Sequence, residues 1–138
     1  MTKVLFVCVR NGGKSQMAAG LMRAENKDVK VDSAGTDAGP SLNAASVESL
    51  AEVGIDISDQ SPKQITDELI RSADVVVTLG RDAQAHHVPG PRYQVWDIDE
   101  PSLRGIDGME RMRLVRDDIA RHVTELASQL RQNAGAHQ

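Results

Sequence analysis

With 138 residues, 40% of them hydrophobic and 26% charged, the chain is sized for a single globular domain over residues 1–138 with a buried core. A formal charge of −4 argues against general nucleic-acid binding, and no apolar run approaches the ~20 residues that cross a bilayer, so neither nucleic acid nor membrane is an expected partner. One cysteine, Cys8, excludes an intramolecular disulfide and any zinc site built on several cysteines; the start of the chain lacks a secretory layout, which makes a cytoplasmic location the expectation.

In chain order, Lys3–Val7 is a short run of strand formers. The loop Cys8–Ser15 follows, and then Gln16–Glu25, where Met17, Ala18, Leu21 and Met22 fall on one helical stripe. Val29–Asp32 is a second strand, so the first thirty or so residues make a βαβ unit, which implies parallel strands and a right-handed crossover. Ala44–Val53 has the apolar spacing of a helix, with Gly54 placed to stop it, and Ile65–Ser72 is a shorter helix behind Pro62. Asp74–Leu79 (DVVVTL) is an apolar strand of the kind covered on both faces, and Tyr93–Ile98 is the last strand. Gly108–Gln132 is a long helix with Met112, Val115, Ile119, Val123, Leu126 and Leu130 on one face, a core stripe; the tail, Asn133–Gln138, is expected to fray. This order predicts an α/β protein, a three-layer α/β/α sandwich around a four-stranded parallel sheet, with ligands bound at the carboxyl ends of the strands. Cys8 stands at such an end. His86, His87, His122 and His137 show no ligand spacing, and no metal site is expected.

The stretch after the first strand is the chemically informative one. Gly13-Lys14-Ser15 is the ending of a nucleotide-binding phosphate loop, but the first glycine of that motif is replaced by Cys8. No acidic residue closes DVVVTL to hold magnesium; Gly80-Arg81-Asp82 follows instead. A thiolate loop fits better. Backbone N–H groups at a helix start favour a thiolate, and Val9, Arg10, Asn11, Gly12, Gly13, Lys14 and Ser15 have the length to wrap one tetrahedral oxyanion above the sulfur. Glycine at 12 and 13 tolerates the dihedrals of a tight turn, and asparagine at 11 tolerates the left-handed region. Lys14 adds a positive charge and the Ser15 hydroxyl a donor. Residues 1–30 hold six cations (Lys3, Arg10, Lys14, Arg23, Lys27, Lys30) against Glu25 and Asp28, a modest steering field for an anion.

Cys8-x5-Lys14-Ser15 after an apolar strand resembles the Cys-x5-Arg-Ser loop of the low-molecular-weight protein tyrosine phosphatases and of the arsenate reductases that share their fold. Ser33-Ala34-Gly35-Thr36, Val75–Ala83 (VVVTLGRDA), Trp96–Pro101 (WDIDEP) and Met109–Ile119 (MERMRLVRDDI) extend the resemblance over nearly the whole chain. Two departures weaken a phosphatase reading: Lys14 replaces the bidentate arginine, and Phe6, Tyr93 and Trp96 are the only aromatics available to line a phosphotyrosine cleft. A third separates the reductases. The thioredoxin-coupled branch relays a disulfide through two further cysteines, one near the end of the third strand, where this chain has Leu79-Gly80-Arg81-Asp82. With Cys8 alone, electrons must come from an external thiol, and Cys8–Ala19 (CVRNGGKSQMAA) looks most like the loop of the arsenate–mycothiol transferases, with Arg10 where glycine is expected.

The resemblance implies that Cys8, Lys14 and Ser15 work on arsenate, that mycothiol is the co-substrate, and that a mycoredoxin acts transiently on the arseno-mycothiol product, with no bound cofactor or metal. It implies an acid just before a proline: Glu100, before Pro101, or Asp99 beside it. It also implies that Asn11 and Ser33 brace the loop. The alternatives are a tyrosine phosphatase using Cys8 as its nucleophile, and a non-enzymatic oxyanion or redox sensor; glutathione would satisfy the same physics as mycothiol.

Overall fold

The computed structural model describes residues 1–136. Its elements run β1 (Lys3–Cys8), α1 (Lys14–Glu25), β2 (Lys30–Gly35), α2 (Ala44–Ala51), α3 (Asp67–Arg71), β3 (Val75–Leu79), β4 (Arg92–Trp96), a 3-10 turn (Pro101–Arg104) and α4 (Gly108–Ala136). The four strands form one parallel sheet in the order β2-β1-β3-β4. The two central strands are buried along almost their whole length, as parallel sheets covered on both faces require.

Alternation along β1 and β3 divides the core. Val4, Phe6, Val75 and Val77 pack on one face against Met17 and Met22 of α1 and Val115, Ile119 and Val123 of α4. Leu5, Val7 and Val76 point the other way, against Ile70, Ala73 and Val88. The expected α/β/α layering therefore holds, with α1 and α4 forming the thick layer. Among the described residues, no helix is long and apolar enough to cross a membrane.

The boundaries differ from the sequence expectations for local reasons. β1 and β2 each run on, to Cys8 and Gly35, because their pairing continues to the register Cys8 opposite Gly35. α2 stops at Ala51 rather than Val53, where Val53 N–H and Gly54 N–H donate to Leu50 O and Ala51 O, and Gly54 takes a φ of 81°. α3 starts at Asp67 because the Thr66 hydroxyl caps it, accepting from Leu69 N at 3.1 Å. β4 is shifted to Arg92–Trp96. The turn Pro101–Arg104, closed by Gly105 at φ 79°, was not expected. α4 continues through Asn133–Ala136, so that part of the tail is helical rather than frayed; His137 and Gln138 lie outside the described residues.

Ile119 is fully buried where α4 meets the sheet, so Ile119→Ala should lower the unfolding free energy by about 2–5 kcal/mol. Urea denaturation measures this, with Leu103→Ala on the exposed turn as a control expected within ~0.5 kcal/mol of the parent.

Candidate active site

β1 delivers Cys8 to the carboxyl edge of the sheet, and the chain then coils into α1 through Val9–Gly13. The coil is fixed by its carbonyls. Cys8 O, Val9 O, Arg10 O and Gly12 O accept from Thr36 N (3.0 Å), Asp37 N (2.8 Å), Gly39 N (2.9 Å) and Asn43 N (2.7 Å), all on the segment after β2. Asn11 O accepts from Gln16 Nε2 at 3.2 Å and Gly13 O from Met17 N at 2.9 Å. Every carbonyl from Cys8 to Gly13 is thus engaged by donors on the outer side of the loop or in α1. No side chain caps the N-terminus of α1, so its first N–H groups are left for an anion.

Asn11 ties the loop to its sulfur. It is the one described non-glycine residue at positive φ, 53°, and it is fully buried. Its Oδ1 accepts from Lys63 N (3.0 Å) and Gln16 Nε2 (3.2 Å), which orients the amide so that Nδ2 donates to Ser15 Oγ at 2.7 Å. Ser15 Oγ lies 2.9 Å from Cys8 Sγ in a hydrogen bond that either atom can donate, and Asn11 N–H donates to the same sulfur at 3.2 Å. Ser15 and Asn11 thus both contact the Cys8 sulfur. Cys8, Asn11 and Ser15 are therefore brought together as expected, whereas the bracing differs. Ser33 is buried, yet among the described residues no hydrogen bond links it to Asn11; Gln16 and Lys63 hold the asparagine instead.

The glycines also leave space that a side chain would fill. Neither Gly12 nor Gly13 has a positive φ; a Cβ on Gly12 would sit 3.0 Å from Ser41 O and one on Gly13 3.3 Å from Ser46 Oγ. The tightest contact belongs to Gly35, at the end of β2, where a Cβ would lie 2.7 Å from Val9 O and 3.0 Å from Asn11 Cβ.

A cavity of about 430 Å³ opens beside the loop, lined by Arg10, Gly12, Gly13, Lys14 and Met17 and, across from them, Arg111 and Met112 of α4. Arg10 is drawn to the rim by an ion pair with Asp37 at 2.9 Å. A larger cavity, about 650 Å³, lies at the ends of β3 and β4. It is lined by Arg81, His87, Tyr93 and Asp97 among others and includes no residue of the cysteine loop, whereas the smaller one takes Gly12, Gly13 and Lys14 of that loop into its wall, though not Cys8 or Ser15.

Neither expected acid is poised to donate a proton in this arrangement. Arg111 grips Glu100 bidentately, Nε to Oε2 at 2.8 Å and Nη2 to Oε1 at 2.7 Å, and Ser102 adds its hydroxyl at 2.9 Å. These bonds, Arg111's first, bring the Glu100 carboxyl down to about 2 against a partial opposing effect of burial. Asp99 is held likewise by Arg104, at 2.7 and 3.0 Å, and its carboxyl also lies below the ordinary range.

A family model described as low molecular weight phosphotyrosine protein phosphatase matches residues 3–136. The chain belongs to that family. The arsenate reductase of Bacillus subtilis (strain 168) is 35% identical over 131 residues, covering 90% of this chain and 94% of its own. The structure of the Corynebacterium glutamicum thioredoxin-dependent arsenate reductase Cg_ArsC1′ matches with a TM-score of 0.80 at 32% identity, over 96% of this chain; this chain spans 63% of that one's length. An arsenate reductase from Archaeoglobus fulgidus matches with a TM-score of 0.76 at 28% identity, over 91% of this chain and 98% of that one.

Within this phosphatase-family site, four contributors escape a reading of the sequence: Gln16, Lys63, Gly35 in its packing role, and Arg111. Gln16 leaves a trace, a polar residue on the buried face of α1, fully enclosed with its Oε1 unpartnered among the described residues. Lys63 acts through a backbone N–H fifty-two positions from Asn11, and no local pattern announces that.

Gly35→Ala forces backbone against backbone and should cost about 1–3 kcal/mol in thermal or urea unfolding. Glu100, whose carboxyl titrates lower in the folded chain than its ordinary 4.5, stabilises the fold above that value, and the contribution fades as pH falls toward about 2. Urea denaturation of Glu100→Gln should therefore show a stability deficit that is constant from neutral pH down to about 5 and closes at lower pH. A deficit that persists unchanged under acid would contradict the ion pair.

Proposed function

We propose that this protein is an arsenate reductase that hands arsenate to a low-molecular-weight thiol, mycothiol, with a mycoredoxin completing the reduction. The observation that carries the reading is the Cys8 sulfur, engaged by Ser15 Oγ at 2.9 Å and Asn11 N–H at 3.2 Å, as the chain's single cysteine. Membership of the phosphatase family supports the oxyanion loop, and the reductase names of the relatives favour arsenate over phosphate.

In this reading the loop N–H groups and Lys14 hold arsenate with its arsenic facing Cys8. The thiolate attacks arsenic, a sulfur–arsenic bond forms, and one oxygen leaves as water after protonation by an acid. Mycothiol then displaces Cys8, giving arseno-mycothiol in which arsenic is still pentavalent. A mycoredoxin thiolate attacks the mycothiol sulfur; the sulfur–arsenic pair of electrons goes to arsenic, arsenite departs, and two thiols have become a mixed disulfide. The redox change falls on the external thiols, so one cysteine suffices. Glu100 is the acid that the loop position favours, with Asp99 as the other carboxyl. The reading sets the reaction in the cytoplasm, where such thiols are kept reduced. Lys14, a point charge in place of an arginine fork, makes phosphate-ester hydrolysis the weaker activity.

The test is arsenate-dependent NADPH oxidation with mycothiol, mycoredoxin and mycothiol disulfide reductase, beside a thioredoxin system. Turnover is expected only in the mycothiol mixture and should fall to background in Cys8→Ser. Turnover with thioredoxin alone would overturn the single-cysteine reading. No turnover in either, with hydrolysis of an aryl phosphate, would assign the site to a phosphatase.

A further inference from the structure

Arg111 borders two things at once. Its guanidinium closes on Glu100 with two hydrogen bonds of 2.8 and 2.7 Å, and the same residue lines the cavity onto which Gly12, Gly13 and Lys14 of the cysteine loop open. The pair is accessible rather than sealed: its side chains are 28% and 31% exposed. As drawn, the pair makes the carboxylate unusable as an acid, while the loop's own cation, Lys14, lacks the planar fork that matches two oxygens of a tetrahedral anion.

We propose that Arg111 is a shuttling guanidinium: when a tetrahedral dianion fills the Cys8–Ser15 loop, Arg111 leaves Glu100 to grip the anion, and the released Glu100 takes a proton from solvent for later donation to the departing oxygen. The proposal rests on the oxyanion-loop reading above and deepens it, making Arg111 a positioning residue for Glu100 and an anion ligand in turn. A dianion outbids a single carboxylate for the guanidinium, so occupancy of the loop itself arms the acid and an empty site keeps it ionised.

The other charges around the pair are engaged as well, so the exchange at Arg111 is between Glu100 and the anion. On α4, Asp118 pairs with Arg121 and accepts from Asp99 N at 2.7 Å. In Glu100's own turn, Asp99 is gripped by Arg104 at 2.7 Å, and across the cavity Arg10 is held by Asp37 at 2.9 Å. Lys14 shares the cavity wall and reinforces the pull of the anion site on a bound dianion.

The exchange is read by counting protons. Sulfate is the probe, since it does not titrate in the range used, and the host is Cys8→Ser, which removes the thiol. Calorimetric titrations near pH 4.5, in two buffers of different ionisation heat, should show about half a proton taken up per sulfate bound, a fraction that shrinks as pH rises. Adding Glu100→Gln should abolish the uptake while sulfate still binds. Adding Arg111→Gln should abolish it too and weaken sulfate binding about tenfold. Sulfate binding without proton uptake, or uptake that survives Glu100→Gln, overturns the shuttle and leaves the oxyanion loop standing. Absence of sulfate binding in Cys8→Ser overturns the oxyanion loop and the shuttle together.

Discussion

Everything at this site depends on where six carbonyl oxygens point. From Cys8 to Gly13 each is engaged by a donor outside the loop or in α1, four of them by the N–H groups of Thr36, Asp37, Gly39 and Asn43. A peptide whose carbonyl is held outward presents its N–H inward, so the loop becomes a cup of donors by default rather than by any side chain. The parallel pairing of β1 with β2 supplies that segment, because β2 must end beside Cys8 for Thr36 to follow it. Sheet register, loop shape and chemistry are one constraint. Gly35 is its narrowest point, with Val9 O occupying the space a side chain would need.

Within the cup, a chain of hydrogen bonds runs from the backbone of Lys63 to the sulfur by way of Asn11 and Ser15. Each member has its orientation set by the one before it. The result is a sulfur contacted by the Ser15 hydroxyl and the Asn11 N–H in a position buried from most of the solvent, the setting in which electrostatic preorganisation is most effective. The acid side is organised in the opposite sense: Glu100 and Asp99 are each paired with an arginine, so proton donation requires a rearrangement that the nucleophile does not.

How much of this could be read from the sequence follows the range of the interactions. The strand–loop–helix unit, the apolar β3 and the α4 stripe are repeating local patterns, and they appear where periodicity places them. Cys8, Lys14 and Ser15 sit within eight consecutive positions, so their chemistry is legible too. The brace on Asn11 is not, because Lys63 contributes a backbone N–H whose identity is invisible in the side-chain alphabet, and Ser33, chosen by resemblance, makes no hydrogen bond to it among the described residues. At the glycine pair 12 and 13 the positive φ expected of a tight turn falls instead on Asn11, while the close approach of Ser41 and Ser46, about thirty residues on, could not be read from the local sequence. Arg111 escaped notice because it lies on the polar side of a helix read for its apolar stripe.

The central claim is that an oxyanion sits in the cup against the Cys8 sulfur. The most direct measurement is the rate at which iodoacetamide alkylates Cys8, followed by mass spectrometry at increasing arsenate. The account predicts saturable protection, with the labelled fraction falling as the loop fills. Alkylation at a rate indifferent to arsenate would contradict it.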